Sequence, residues 1–480
     1  MGRVGKQISL LVLPVCLAAG AVAQTQNPIQ ISSFEHIVIV VQENRTPDNL
    51  FQGLCIKASS CSTTPTSAQY NIQTSNWLDG GVTGGVIQPL PVPLANAYDM
   101  THGNTAWGYQ CHMDTSTGAC RMDGDYKVRC VGLCPTQPQF RYVDNSTGIV
   151  NPYLQMATQF GWANYMFQTN QGPSYPAHQF IFGGTSAPSA TDDVQGIFAS
   201  DNYYHGNLPG CVALAGTIVD LISPPGVTNG PVYPCFDHNT IPDILPANVS
   251  WRYYSPGPNS IWNAPNAINH ICQPNLPTGG TCTGPMWTAN VVNKPGAVLN
   301  DIAACALPSL SWVIPTGQNS DHANASNGSG PSWVASVVNS IGESKCTNPD
   351  GTTYWNSTAI LITWDDWGGW YDHVPPPILA MPQGDYQLGF RVPLIFVSAY
   401  TTPGFIDNSP HDFGSMLRFV ESNFKVTPGI LGFADARATD SLSTFYNLKN
   451  TPLPFVPIVA PKSAQYFLND KTPPTPPDND

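Results

Sequence analysis

The stretch His36-Ile37-Val38-Ile39-Val40-Val41-Gln42-Glu43-Asn44-Arg45-Thr46-Pro47-Asp48-Asn49 changes character in its middle. Its first half holds five consecutive β-branched apolar residues, Ile37 to Val41. A run without polar alternation reads as a strand covered on both faces, the situation of strands in a parallel sheet. Three later runs repeat the pattern: Leu310 to Ile314, Ala359 to Thr363 and Val392 to Val397. Helix-like segments at Ile241 to Leu245 and Trp333 to Ser344 lie between them. Strands alternating with helices predict an α/β protein with a central, mostly parallel sheet flanked by helices.

The second half of the stretch is polar, and the sheet reading says where it goes. Ligands of an open α/β sheet bind beyond the carboxyl ends of its strands. The first strand delivers Glu43 and Asn44 there, and the strand Ala359 to Thr363 delivers Asp365 and Asp366. Either pair alone reads as caps of the following turns. Together, three carboxylates and an amide converging in a small space repel one another unless a cation lies among them. Oxygen donors of this kind suit hard divalent ions, and calcium, magnesium, manganese and zinc all stay open.

Composition bounds the rest. The chain has 480 residues, 42% apolar and 10% aromatic, with 42 Gly and 47 Pro, which predicts a loop-rich globular protein. Its net charge of −13, with only 18 Lys and Arg, offers nucleic acid or anionic membrane little long-range attraction. The N-terminus carries Arg3 and Lys6, an apolar stretch from Ile8 to Leu17 and an Ala21-Val22-Ala23 site, the pattern of a secretory signal over residues 1–23. The stretch is short and contains Pro14, so no stable membrane anchor is expected and the protein is read as secreted or periplasmic. Without Cys16, twelve cysteines remain, an even number that in an exported chain points to disulfides between sequence neighbours. The rival, a zinc site, lacks any C-x-x-C pair, and Cys130-Val-Gly-Leu-Cys134 has no second half. The cysteine-bearing segments near 55–135 and 205–285 read as loop insertions in a domain spanning 24–450, followed by a Pro-rich tail over 451–480.

Two further stretches carry chemistry. In NQGPSYPAHQFIFGG, Asn170 to Gly184, Ser174 is a good N-cap and Gly183-Gly184 a stop signal, so a short helix is expected to begin just after Ser174. Capping suffices to explain the serine taken alone; beside a cation it becomes a nucleophile. In TWDDWGGWYDHVPPP, Thr363 to Pro377, Gly368-Gly369 allow a tight loop, and Asp372-His373 either brace that loop or supply an acid–base imidazole. Arg391 reads as a structural ion pair. His322, in NSDHANAS, lies beyond another strand end.

In combination these segments resemble a known family. ENRTPDNLFQG, from Glu43, resembles the ENRSFD opening motif of the bacterial and plant phospholipase C and acid phosphatase family, related in fold to alkaline phosphatases. GPSYPAH resembles its T/S-x-P nucleophile motif, TWDDWGGWYDHVPPP its D-E-x-x-G-x-x-D-H-V motif, and GFRVPLIFVSAY, from Gly389, its G-x-R-V-P motif. The resemblance runs from about His36 to about Leu448. It implies an alkaline-phosphatase-like fold and one divalent metal ion held by Glu43, Asn44, Asp365 and Asp366. It further implies that Ser174 attacks phosphorus through a phosphoseryl intermediate, with His322 and, as a weaker match, His102 as candidate catalytic histidines; His373 is the third candidate, from the reading of its own loop. Several positions depart from the family pattern: Pro47 stands at the usual Phe, Asn49 at a frequent His, Asp366 at a frequent Glu, and His178 at the arginine of the phospholipase-type motif. The implied substrate is a phosphate ester, either a phospholipid headgroup or a soluble phosphomonoester. The alternatives are a sulfatase-like hydrolase, which would require an arginine where His178 stands, and a secreted binding protein that kept the fold and lost catalysis.

Overall fold

A computed structural model describes residues 1–2, 29–56, 59–206, 208–223, 227–438 and 440–472. Apart from residues 1–2, the expected signal segment with Cys16 lies outside the described residues, as does the end of the tail. An eight-stranded sheet runs through the molecule: β1 (His36–Gln42), β2 (Gly161–Phe167), β3 (Trp251–Tyr254), β4 (Val291–Val292), β5 (Leu310–Val313), β6 (Thr358–Trp364), β7 (Leu394–Ser398) and β8 (Ile406–Asp412). Their order across the sheet is β4-β3-β5-β1-β6-β7-β2-β8. All neighbouring pairs are parallel except those made by β7, which runs antiparallel to both β6 and β2. The expected mostly parallel sheet is therefore present, but the run at Val392–Val397 is its reversed strand. Burial on both faces selects the same apolar side chains whichever way a strand points.

β1 lies between β5 and β6, and all seven of its residues are buried. Its five apolar side chains are fully enclosed, each contributing roughly 1.5–3 kcal/mol of transfer free energy. A charge at Val40 would sit in the middle of this layer with no partner. The helices that matter to the site are α1 (Pro47–Leu50), α2 (Asn151–Gln159), α3 (Ser174–Gly183), α4 (Gly330–Gly342) and α5 (Phe413–Phe424). α4 matches the expected helix at Trp333–Ser344 and buries Trp333, Val334, Val337, Val338 and Ile341 at helical spacing.

Six disulfides join sequence neighbours: Cys55–Cys61, Cys111–Cys120, Cys130–Cys134, Cys211–Cys235, Cys272–Cys282 and Cys305–Cys346. Cys130 and Cys134 thus bond each other, which removes the zinc reading. Residues of the Pro-rich tail dock on α4: the Ile458 N–H donates to Asn339 Oδ1 and the Asn339 amide donates to Ile458 O. A short helix at Ala464–Asn469 then places Phe467 edge-on to Trp333. Among the described residues no helix is long and apolar enough to cross a membrane.

Candidate active site

The pairing of Gln42 with Trp364 continues past the ends of β1 and β6, and this sets the site. Asp365 N–H donates to Gln42 O at 3.0 Å, Asn44 N–H to Asp365 Oδ1 at 3.0 Å, and Arg45 N–H to Asp366 O at 3.1 Å. Glu43 and Asn44 therefore leave one strand beside Asp365 and Asp366 leaving the next. Asn44 turns the chain with φ of 63°, a left-handed conformation that asparagine tolerates better than most residues. Gly368, also at φ +63°, closes on it from behind; a Cβ there would stand 2.5 Å from the Asn44 carbonyl oxygen. Thr46 then caps α1, its Oγ1 accepting from Asn49 N–H at 3.1 Å, and Pro47 occupies the first helical position. That position needs no N–H and favours the fixed φ of proline, which accounts for the departure at Pro47.

Ser174 reaches the same place from the other side. The loop after β2 is tied by Gln168, whose amide donates to Asn170 O and Gly172 O while its oxygen accepts from Trp367 N–H at 2.9 Å, directly after Asp366. Ser174 is the first residue of α3 rather than its cap; Pro173 holds the cap position without a side-chain bond. Its hydroxyl is thereby spared from capping and donates to Asp366 Oδ2 at 3.2 Å. Asp366 Oδ1 accepts from Gly368 N–H at 2.7 Å, which fixes the carboxylate. Gly184, left-handed at φ 78°, ends the helix at the expected stop.

Three histidines surround this cluster. His102 donates from Nδ1 to Met100 O at 2.7 Å, so its Nε2 accepts from the Asn44 amide at 2.9 Å and turns the Asn44 oxygen the other way. His322 donates from Nδ1 to Ala323 O at 2.6 Å, with an Asp99 carboxylate oxygen at 3.6 Å. His178, one turn after Ser174 on α3, brings Nε2 to 3.3 Å from Glu43 Oε1 and 3.6 Å from Asp365 Oδ2. The Trp262 indole lies 6.3 Å from the His178 ring and 5.9 Å from the His322 ring. Glu43, Asn44, Asp365, Asp366, Ser174 and His102 are all fully buried.

Glu43, His178 and Asp365 bring ligand atoms within 4.8 Å of one another. Asn44 Oδ1 and Asp365 Oδ2 are buried and receive no hydrogen bond. Buried oxygens without donors, grouped with further carboxylates, are the donor set a divalent cation requires. The residues present therefore fit the expected ion.

His373 lies in a neighbouring cluster. Its Nδ1 meets Asp48 Oδ2 at 2.6 Å and its Nε2 meets Asn71 Oδ1 at 2.9 Å, so both ring nitrogens serve the loop. Arg391 grips Asp372 with two bonds of 2.8 and 2.9 Å and stands 3.5 Å from Asp48. Burial alone would raise the Asp48 pKa, but His373 and Arg391 outweigh it and hold that carboxyl below the ordinary range. Asp48, Asp372 and His373 also have the spacing of a metal site. Here the guanidinium of Arg391 supplies the positive charge.

Residues 34–427 match the phosphoesterase family. The chain belongs to that family. This phosphoesterase is 25% identical to the non-hemolytic phospholipase C of Pseudomonas aeruginosa, across 99% of this chain and 67% of that protein. It is 24% identical to phospholipase C A of Mycobacterium tuberculosis, across 87% of this chain and 78% of that protein. A solved structure of a protein in the alkaline phosphatase superfamily from Vibrio parahaemolyticus aligns over 60% of this chain and 66% of that one, with 11% identity and a TM-score of 0.34. The phosphoesterase is accordingly a phosphoric ester hydrolase.

In the sequence His178 stands out only as a departure from a motif. Its spacing of four from Ser174 was the available signal, since residues i and i+4 of a helix share a face.

Proposed function

We propose that the protein is an exported, metal-dependent phosphoesterase of phospholipase C or broad acid phosphatase type, with Ser174 as its nucleophile. The observation that carries this reading is the Ser174 hydroxyl, released from capping and held 3.2 Å from Asp366 in a buried group of carboxylates. Its place at the N-terminus of α3 supports the same assignment, because the exposed N–H groups and dipole of a helix start favour an alkoxide and a phosphoryl group. Export is supported by the signal-like N-terminus and the disulfides.

In the proposed reaction, Ser174 gives up its hydroxyl proton to Asp366 Oδ2, the acceptor of its hydrogen bond, and Oγ forms a bond to phosphorus while the bond to the leaving alcohol breaks. His322 is the residue assigned to protonate that alcohol; the Ala323 carbonyl at Nδ1 fixes the orientation of its ring, and an Asp99 carboxylate oxygen stands 3.6 Å from the same nitrogen. Water then attacks the phosphoserine, releasing phosphate or its monoester and restoring the hydroxyl. His102 positions Asn44 through the 2.9 Å amide bond. A divalent cation held by Glu43, Asn44, Asp365 and Asp366 would neutralise charge on the serine oxygen and on a phosphoryl oxygen.

The test compares wild type, Ser174→Ala and a chelated sample on a chromogenic phosphomonoester and on choline phospholipid. Ser174→Ala is expected to lower turnover by at least about 10⁴-fold, and chelation to abolish it reversibly. Undiminished hydrolysis by Ser174→Ala would remove the nucleophile assignment. Resemblance to relatives that are phospholipases C favours phospholipid; His178 in place of the motif arginine favours a broader range. The ratio of the two rates decides between them.

A further inference from the structure

We infer that His178 is itself a ligand of the cation, adding an imidazole nitrogen to an oxygen-rich site and moving its preference from calcium and magnesium toward borderline transition ions, zinc above all. This rests on the reading that a cation occupies the Glu43–Asp365 cluster.

The hydrogen of Tyr253 fixes which nitrogen of His178 is the donor. That phenol is buried and has one hydrogen to donate. The proton is committed to Trp262 O at 2.7 Å. The phenol oxygen can then act only as an acceptor toward its other neighbours, and it accepts from Ala264 N–H at 3.4 Å. His178 Nδ1 lies 3.4 Å from the same oxygen and must therefore be the donor. With the hydrogen on Nδ1, the lone pair of a neutral His178 is on Nε2. That lone pair faces Glu43 Oε1 at 3.3 Å and Asp365 Oδ2 at 3.6 Å, both on buried carboxylates. Three lone-pair donors converging without positive charge repel; a cation between them removes the repulsion. The spacing suits one, since donors about 2.0–2.1 Å from a tetrahedral zinc stand about 3.3–3.4 Å apart.

The arrangement is also that of a supported metal histidine. Such residues take their tautomer from a hydrogen bond at the second ring nitrogen, the role Tyr253 has here. Nitrogen donors favour transition ions over calcium and magnesium, which prefer oxygen throughout. An arginine at position 178, as in the phospholipase-type motif, has no lone pair to offer and would exclude this ligation.

The competing account is that His178 is a protonated counter-ion of Glu43 and Asp365. Both accounts are tested on the purified protein, stripped and reloaded with zinc, manganese, magnesium or calcium alone. Pulsed electron paramagnetic resonance of the manganese-loaded wild type is expected to show coupling to a directly bound ¹⁴N, lost in His178→Gln. Calorimetric competition is expected to show zinc binding weakened at least about 10-fold by His178→Gln, with calcium and magnesium changed far less. Tyr253→Phe, which keeps the ring and removes the acceptor, is expected to weaken zinc by a smaller factor.

Manganese bound without nitrogen coupling in the wild type would overturn the inference and leave the phosphoesterase reading standing. Uniformly tighter binding of all four ions by His178→Gln would do the same in favour of the counter-ion. Failure of any ion to bind wild type would remove the metal reading itself. The wild-type spectrum carries the test even if a variant misfolds.

Discussion

Replacing Arg391 with methionine is expected to destabilise the fold by about 3–5 kcal/mol, the usual cost of removing one partner of a buried ion pair. Arg391 is fully buried and makes two bonds to Asp372. A third and fourth go from NH1 to the Asn71 and Asn164 carbonyls, at 2.9 and 2.8 Å. Methionine fills comparable volume, so the loss is electrostatic rather than a cavity. Asp48 keeps His373 as a partner, whereas Asp372 is left facing it without a cation. An unfolding entropy of about 2.1 cal/mol/K per residue over 480 residues is about 1 kcal/mol/K, so the melting temperature should fall by about 3–5 °C. Burial already raises the Asp372 pKa and loss of Arg391 raises it further, so the cost of the stranded charge is absent when the carboxyl is protonated; the deficit should shrink as pH falls from 7 to 5. Adding Asp372→Asn should recover part of the loss. Chemical unfolding with the disulfides intact measures the free energies, and thermal unfolding the melting temperature. A loss under about 1 kcal/mol, or a large rise in KM with unchanged stability, would show that Arg391 serves substrate rather than structure.

Gly368→Ala should lower kcat/KM by at least about 100-fold, because its Cβ would meet the Asn44 carbonyl at 2.5 Å and displace a candidate ligand. Gly108→Ala, in the helix Asn104–Cys111 with open space around its Cβ, should leave activity unchanged and stabilise by about 0.5–1 kcal/mol in thermal unfolding. His411 provides a pH signature. Burial opposes its charge, but Asp407 and Asp440 outweigh burial and raise its pKa to about 9. A raised histidine stabilises fully below its unfolded pKa and loses the effect as pH rises through the folded value. His411→Gln should therefore cost up to about 3 kcal/mol at pH 6, and the difference from wild type should vanish across pH 6.5 to 9 in denaturant titrations.

The legible parts of the fold were those in which side chains alone carry the information. The runs at Ile37–Val41, Leu310–Ile314 and Ala359–Thr363 announced buried strands because nothing else tolerates such apolar continuity. The direction of β7 was not legible, since direction depends on the connection and not on the strand. β8 carries no apolar run for a different reason: Asp407, Asn408, Ser409 and Pro410 are turn-forming residue types, and the structure tolerates them at a sheet edge where the pairing shifts between Asp407 and Pro410. In the site, adjacency along the chain revealed Glu43 with Asn44 and Asp365 with Asp366. The separation of His178 from its partners Glu43 and Tyr253 hid that residue, because their approach depends on the packing of α3 against the sheet edge.

The six bridges have a consequence for how the chain is made. Twelve cysteines admit on the order of ten thousand pairings, yet the sequence separations closed here run only from 4 to 41 residues. A chain threaded N-terminus first into an oxidising compartment meets each cysteine's correct partner as the next one to emerge. Native partners can come into contact before a competitor arrives, because loops of about ten residues close in about 10–100 ns, far faster than residues are delivered, and the covalent step of seconds or longer follows from that contact. The order of the cysteines thus does the sorting that would otherwise fall to thiol exchange. Refolding the whole reduced chain from denaturant loses that order, so it should depend on an isomerase far more than vectorial synthesis does.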